Sequence, residues 1–247
     1  MKFFLCSDIH SFFDEWKKAL DEAGYDVNNE DHCLVVLGDL LDRGDKSVEC
    51  LQFIHSVPSS RKILIRGNHE DMLEEALARG FFLEHDRSNG TVKTCAQIYI
   101  STLQNYNLTD KASIQDVIRA TKNNSLLQEY LKSCVDYYET SLYVFVHGWV
   151  PYTWNGIENW RDGNWREARW DNGMEAWSMG LVIPDKTICC GHWNASYGHS
   201  ELDGKGSQYG DDADHSPFIA PGIIAIDACT ALSHKVNVVV VEDNFLN

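Results

Sequence analysis

The feature that most constrains this chain is a threefold pattern near its start, in which a short apolar run stops on polar residues of ligand type. Lys2 to Ser7 leads into Asp8-Ile9-His10, and Cys33 to Leu37 into Gly38-Asp39-Leu40-Leu41-Asp42-Arg43-Gly44. Lys62 to Ile65 leads into Arg66-Gly67-Asn68-His69-Glu70. Between and after these runs, apolar residues take helical spacing over Phe12 to Ala23 (stopped by Gly24), Ser47 to Ile54 and Met72 to Ala78. Short apolar strands alternating with helices predict a mostly parallel sheet covered by helices. Loops at the carboxyl ends of such strands converge, so their polar residues are expected to meet.

From about residue 81 to 139 the strand signal vanishes. Ile114, Val117, Ile118 and then Leu126, Leu127, Tyr130, Leu131 are spaced as on helices, which predicts a helical insertion. Strands return at Leu142 to Val146, Thr187 to Cys190, Ile223 to Ile226 and Val236 to Val241, the last after a turn at Ser233-His234-Lys235. One sheet holding every strand would be very wide, so a second sheet packed on the first is expected. The expectation is one α/β domain over residues 1–247, a length that can bury a single large core. Two of the later strands also end on histidine, at Val146-His147-Gly148 and Cys190-Gly191-His192.

The balance of 37 acidic against 21 basic residues, a net charge of −16, argues against a broad interface with nucleic acid or anionic lipid. It leaves room for a local site in which bound cations reverse the field. The apolar start, Lys2 to Cys6, is too short for a signal or membrane-spanning segment, so a cytoplasmic protein is expected. Eight cysteines without a C-x-x-C framework, among them Cys6, Cys33, Cys189 and Cys229 in or beside the strands, read as reduced core residues.

On an extended strand end Asp8 and His10 point to the same side and can bind one ion together. Asp39 suits a carboxylate shared between two cations, Asn68 offers an amide oxygen, and His147 and His192 offer imidazoles. A mixed Asp, His and Asn set without thiolate suits Mn, with Fe or Zn as alternatives. Two ions would acidify a water and hold a phosphoryl oxygen. His69, beside Asn68, is placed to give a proton to the leaving oxygen, Asp42 to orient it, and Arg43 to clasp phosphate oxygens.

Gly38 to Gly44 and Gly67 to Glu70 resemble the signatures of the calcineurin-like metallophosphoesterases. The similar branch holds serine/threonine protein phosphatases and symmetrical diadenosine tetraphosphate hydrolases. The resemblance implies a four-layer sandwich of two central sheets flanked by helices. It also implies two divalent ions: Asp8, His10 and Asp39 on the first, Asp39, Asn68, His147 and His192 on the second. His69 would be the general acid assisted by Asp42, and Arg43 a phosphate clamp. Attack by a metal-bound hydroxide on a phosphomonoester follows, with phosphoserine or phosphothreonine on proteins the first expectation and dinucleoside polyphosphates the alternative.

The pattern departs from the family at Ser7 and Ser11, where glycine is usual, and at Trp149 and Trp193 after the late histidines. The family's second phosphate-binding arginine has no fixed motif here. Arg169 is the expected residue, with Arg161 and Arg166 as alternatives. Each motif also has a plainer reading: Gly67 to Glu70 alone describes a strand-to-helix cap, and Arg43 alone a structural ion pair. His32, His55, His85, His199, His215 and His234 read as surface or loop histidines. The tryptophan-rich stretch Trp149 to Trp177 reads first as loop packing and second as a surface for a nucleobase. A silent metal-binding module is the competing class, but it has no need of His69, Asp42 and Arg43.

Overall fold

The computed structural model describes residues 1–103 and 113–245. Its first sheet contains β1 (Lys2–Cys6), β2 (His32–Val36), β3 (Lys62–Leu64) and β9 (Val239–Glu242), in the order β3-β2-β1-β9. β1, β2 and β3 are parallel, and β9 closes one edge antiparallel to β1. The second sheet contains β4 (Tyr138–Glu139), β5 (Tyr143–Phe145), β6 (Thr187–Cys190), β7 (Phe218–Ala220) and β8 (Ile223–Ala225), in the order β4-β5-β6-β8-β7. Here β5, β6 and β8 are parallel, flanked by antiparallel β4 and β7.

The helices are α1 (Phe13–Glu22), α2 (Ser47–Ser56), α3 (Asn68–Arg79), α4 (Glu84–Ser88), α5 (Thr91–Thr102), α6 (Ile114–Lys122) and α7 (Ser125–Ser133). Short α8 (Trp165–Ala168), α9 (Gly173–Ser178) and α10 (Thr230–Ser233) follow. None of these is long and apolar enough to cross a membrane.

Strand alternation builds the layers. Phe3, Leu5, Cys33 and Val35 share a buried cluster with Phe145, Cys189 and Ile224 of the second sheet. Their neighbours Phe4, Cys6, Leu34 and Val36 face outward to Trp16 and Leu20 of α1 and Leu51 and Ile54 of α2. In the second sheet Val144, Ile188 and Ile223 face the opposite side, with Trp149 and Met174. Strands buried on both faces require the unbroken apolar runs seen in the sequence. Fully burying each such side chain contributes roughly 1.5 to 3 kcal/mol. The result is the α/β architecture of two mixed sheets flanked by helices.

Local differences from the sequence expectation have physical causes. Tyr138 and Glu139, read as the end of the insertion, pair with β5 as β4. β7 was not foreseen, because three residues beyond a polar loop carry too little pattern to register. β9 starts at Val239, not Val236, since Asn237 ties its segment to the carbonyls of His215 and Ile226 instead of to a ladder. α3 starts at Asn68, not Met72, because the Glu70 carboxylate accepts from the Gly67 amide and caps the first turn. All eight cysteines are free thiols. His32 is a buried residue of β2, not a surface histidine, and accepts from the Asp26 amide.

Candidate metal centre

The loops after β1, β2, β3 and β6 meet in a cleft of about 140 Å³ lined by Asp8, Asp39, Arg43, Asn68, His69 and His192, with Met72, Asn89 and Trp170. His147, after β5, is buried beneath it, its Nε2 2.8 Å from Asn68 Oδ1. The backbone is bent sharply to achieve this. Among the described residues, Asp8, His10, Asp39, Asp42, Arg43 and His192 all take positive φ, between 50° and 75°. Each costs on the order of 1 kcal/mol or more, and such strain concentrates where function requires it. Gly38 (φ +89°) has no alternative, since a Cβ there would lie 2.5 Å from His147 Nδ1 and 2.7 Å from Gly67 Cα.

Asp39 presents its two oxygens to different partners. Oδ2 lies 3.8 Å from His10 Nε2, and Oδ1 lies 3.4 Å from His147 Nε2. Asp8 Oδ1 is 4.0 Å from His10 Nε2, and donor atoms of Asp39, His147 and His192 all lie within 4.8 Å of one another. With metal–ligand bonds near 2.1 Å, neighbouring donors in a tetrahedron or octahedron stand roughly 3.0 to 3.4 Å apart, so this set is on the scale that divalent ions require.

The rings are held in an orientation compatible with such a site. His10 Nδ1 bonds the Leu41 carbonyl at 3.0 Å and His147 Nδ1 the Leu37 carbonyl at 2.6 Å, leaving Nε2 for the centre, while the His192 ring bonds the Trp170 backbone. Burial pushes His10 well below the usual imidazole range and His192 down to about 3, so both stay neutral. Burial pushes Asp39 well above the carboxylate range; His69 opposes this, while Asp8 and Glu70 add to it. Neutral imidazoles around crowded buried carboxylates form an environment that a cation relieves.

His69 differs from these three. Its Nδ1 lies 2.8 Å from Asp42 Oδ2, a carboxylate instead of a carbonyl, and its Nε2 lies 3.2 Å from Arg43 Nη2. Burial lowers its pKa, but Asp39 and Asp42 outweigh burial and Arg43, and the net shift is upward. The ring also falls within one donor group with His10 and Asp39, close to anything bound there.

The structure does not bring the expected second arginine into the cleft. Arg169 is buried, with Nη1 2.8 Å from Asp71 Oδ2 and Nη2 paired to Asp136, because two carboxylates beside it outcompete an open cleft. Arg161 pairs with Glu139 and Arg166 with Glu75. Arg43 is the one cationic side chain among the lining residues.

Other contributors escaped the sequence reading. The Glu70 carboxylate accepts from the amides of Asp39, Leu40 and Gly67 and from the Tyr130 hydroxyl, joining two ligand loops to α7. Ser7, a departure from the family pattern, donates to Asp8. Asp227 is buried just after β8, and burial together with Asp8 holds its carboxyl well above the usual range. Its signal was a strand ending on aspartate, as β1 does, without an adjoining glycine or histidine motif. Of the tryptophans, Trp149, Trp160 and Trp165 are buried packing, whereas Trp170 is 51% exposed in the cleft, its ring 5.8 Å from that of His192.

Of the larger hollows elsewhere, one of about 520 Å³ lies between α1 and residues 234–237 and one of about 340 Å³ beside Tyr152 and Trp160. Among the described residues neither contains a converging group of histidine and carboxylate donors.

Known proteins share part of this sequence and the fold. The chain is 37% identical over 70 residues to a symmetrical bis(5'-nucleosyl)-tetraphosphatase of Pasteurella multocida, a stretch covering 28% of this chain and 24% of that protein. It thus spans about a quarter of the length of that relative. A crystal structure of "a putative diadenosine tetraphosphatase" superposes with a TM-score of 0.60 at 12% identity, over 97% of this chain and 88% of the other. A protein serine/threonine phosphatase from Saccharomyces cerevisiae does so with 0.52 at 15% identity, over 100% and 81%. Residues 1–226 match the family described as calcineurin-like phosphoesterase, and with the sandwich and the donor set in place the chain belongs to that family.

Proposed function

We propose that this chain is a dinuclear-metal phosphoesterase in which Asp8, His10 and Asp39 hold one divalent ion and Asp39, Asn68, His147 and His192 a second. When bound, the ions would acidify a water and withdraw charge from the phosphoryl oxygens. The remaining work belongs to the protein. Arg43 reaches the cleft with its fork of donors and fits non-bridging phosphate oxygens. His69, held on Asp42 through Nδ1, has Nε2 directed to the cleft and supplies the proton as the leaving oxygen departs. One observation carries this reading: the histidine bonded to a carboxylate and the lone arginine share a cleft with the ligand set, equipment that a silent metal-binding module would not use.

For the substrate we favour a nucleotide, a dinucleoside polyphosphate, over a phosphoprotein. Trp170 supports this, since an exposed indole beside a ligand histidine offers a stacking face. The named activity of the Pasteurella relative supports it too. The test compares diadenosine tetraphosphate with a phosphoseryl peptide lacking aromatic residues, both with Mn²⁺, in the wild type and Trp170→Ala. Stacking of one base contributes about 1 to 3 kcal/mol, so KM for the dinucleotide should rise roughly 5- to 150-fold while the peptide is unaffected. Equal losses on both substrates refute the stacking role. A wild type that favours the peptide returns the assignment to protein phosphatases, and no turnover on either favours the silent module.

A further inference from the structure

The helical insertion carries groups that the reaction above leaves unassigned. Asp42, the carboxylate behind His69, is buried and at positive φ, and among the described residues no lysine or arginine is bonded to it. Its other partners come from α5. Thr91 Oγ1 donates to Asp42 Oδ2 at 2.8 Å, and Thr94 Oγ1 donates to Oδ1 at 2.8 Å while accepting from the Asp42 amide at 3.0 Å. Both threonines are fully buried. They stand three residues apart on the first turn of a twelve-residue helix, one above the other on its inner face, with the positive end of the helix toward the carboxylate.

The same end of α5 is seated on the Asp42 loop by independent contacts. A Cβ on Gly90, which precedes the helix, would lie 2.1 Å from the Arg43 amide nitrogen, so only glycine permits the approach. Lys93 donates to the Arg43 carbonyl, and Gln97 donates to the Gly44 carbonyl and accepts from the Ser47 amide.

We propose that Thr91 and Thr94 are positioning residues for proton donation: they fix the Asp42 carboxylate so that it holds the His69 ring with Nε2 aimed at the leaving oxygen. Neither touches substrate; they act through Asp42. This rests on the proton-donor role of His69. In that step a water oxygen forms a new bond to phosphorus and releases its proton to solvent, the P–O bond to the leaving group breaks with its electron pair staying on the leaving oxygen, and the His69 Nε2 proton joins that oxygen.

The experiment uses Thr91→Val, Thr94→Val, Thr94→Ser and His69→Asn, assayed with Mn²⁺ on phenyl phosphate and 4-nitrophenyl phosphate. The nitrophenolate leaves readily without a proton; the phenolate does not. Each valine variant should lower kcat on phenyl phosphate about 10-fold or more, the scale of a lost hydrogen bond to a charged group. KM and bound Mn²⁺ should stay unchanged, the deficit on the nitrophenyl ester should be smaller, and Thr94→Ser should restore kcat. A second readout needs no turnover: the downfield ¹H signal of an imidazole N–H bound to a carboxylate, assigned by its loss in His69→Asn, should weaken in the valine variants. A full deficit in His69→Asn with wild-type kcat and an intact signal in both valine variants overturns the threonine role alone. Wild-type kcat in His69→Asn on phenyl phosphate overturns the proton-donor reading and this inference with it. Equal deficits of the valine variants on both esters, not restored by serine, mark a merely structural role and also overturn it.

Discussion

Replacing Glu70 tests the hub that joins the ligand loops. Its Oε2 accepts from the Asp39 amide at 3.0 Å and the Gly67 amide at 2.9 Å, and its Oε1 from the Leu40 amide at 3.1 Å and the Tyr130 hydroxyl at 2.8 Å. In Glu70→Gln the amide oxygen can occupy only one of these positions. Placed as Oε2 it keeps the Asp39 and Gly67 bonds, and the new NH2 then faces Tyr130, whose hydroxyl can turn to accept, and the Leu40 amide, which cannot. One buried N–H is left facing a donor, at a cost of about 1 to 3 kcal/mol. Glu70→Ala strips partners from three amides and a phenol, so about 3 to 5 kcal/mol is expected. For a chain of this size each kcal/mol lowers Tm by roughly 2 to 4 °C. Urea and thermal unfolding should be measured on metal-depleted protein, so that bound ions do not mask the loss. A Tyr130→Phe double-mutant cycle with Glu70→Gln should show coupling above about 0.5 kcal/mol. Glu70→Gln within 0.5 kcal/mol of wild type, on the ~1 kcal/mol scale of one lost bond, would refute the hub.

Two further outcomes follow from the site and its border. Asp39→Asn should lose bound metal and turnover together, with affinity falling beyond the 10- to 100-fold typical of losing an outer partner; unchanged metal content by elemental analysis would sink the shared-ligand role. Asp171 is pushed up to about 6 by burial, with Glu167 adding to the rise and its bond to Tyr152 opposing it. That lies above the value of about 3.9 in an unfolded chain, so the folded state binds the extra proton, and this contribution is lost as pH rises through about 6. Asp171→Asn should therefore gain stability relative to wild type between pH 4.5 and 7.5, by about 1 kcal/mol once partial exposure is discounted, and a parallel pair of stability curves would contradict the assignment.

The parts of the site that were legible in the sequence are those set by local chemistry. A strand buried on both faces must be an apolar run, and a polar residue right after it must lie at the sheet's end, so the sequence alone places Asp8, Asp39, Asn68, His147 and His192 at strand ends. What was not legible depends on partners distant in sequence. Arg169 reads the same whether it meets phosphate or the Asp71 and Asp136 carboxylates, and only the fold decides between them. Gly67 to Glu70 reads as a strand-to-helix cap, but nothing local shows that the Glu70 carboxylate also binds the loop after β2. Six tryptophans in one stretch suggested a stacking surface, but packing consumed most of them and left Trp170 in the cleft.

The strained backbone explains why α5 and α7 are more than a cover for the sheet. Six residues of the candidate site hold positive φ, and at about 1 kcal/mol or more each the loops would relax toward ordinary geometry if released. Two buried carboxylates oppose that relaxation. Glu70 binds the amides of Asp39, Leu40 and Gly67 and is itself held by Tyr130 of α7. Asp42 binds His69 and is itself held by Thr91 and Thr94 of α5. Each anchor therefore has one end in a loop of the candidate site and the other in α5 or α7. Releasing the Asp42 anchor alone, as Thr91→Val or Thr94→Val does, should disturb the proposed proton donation before it unfolds either sheet, because the threonine hydroxyls lie outside the apolar clusters; loosening α7 would reach the core as well, since Leu127, Tyr130 and Leu131 pack in the cluster that covers the first sheet.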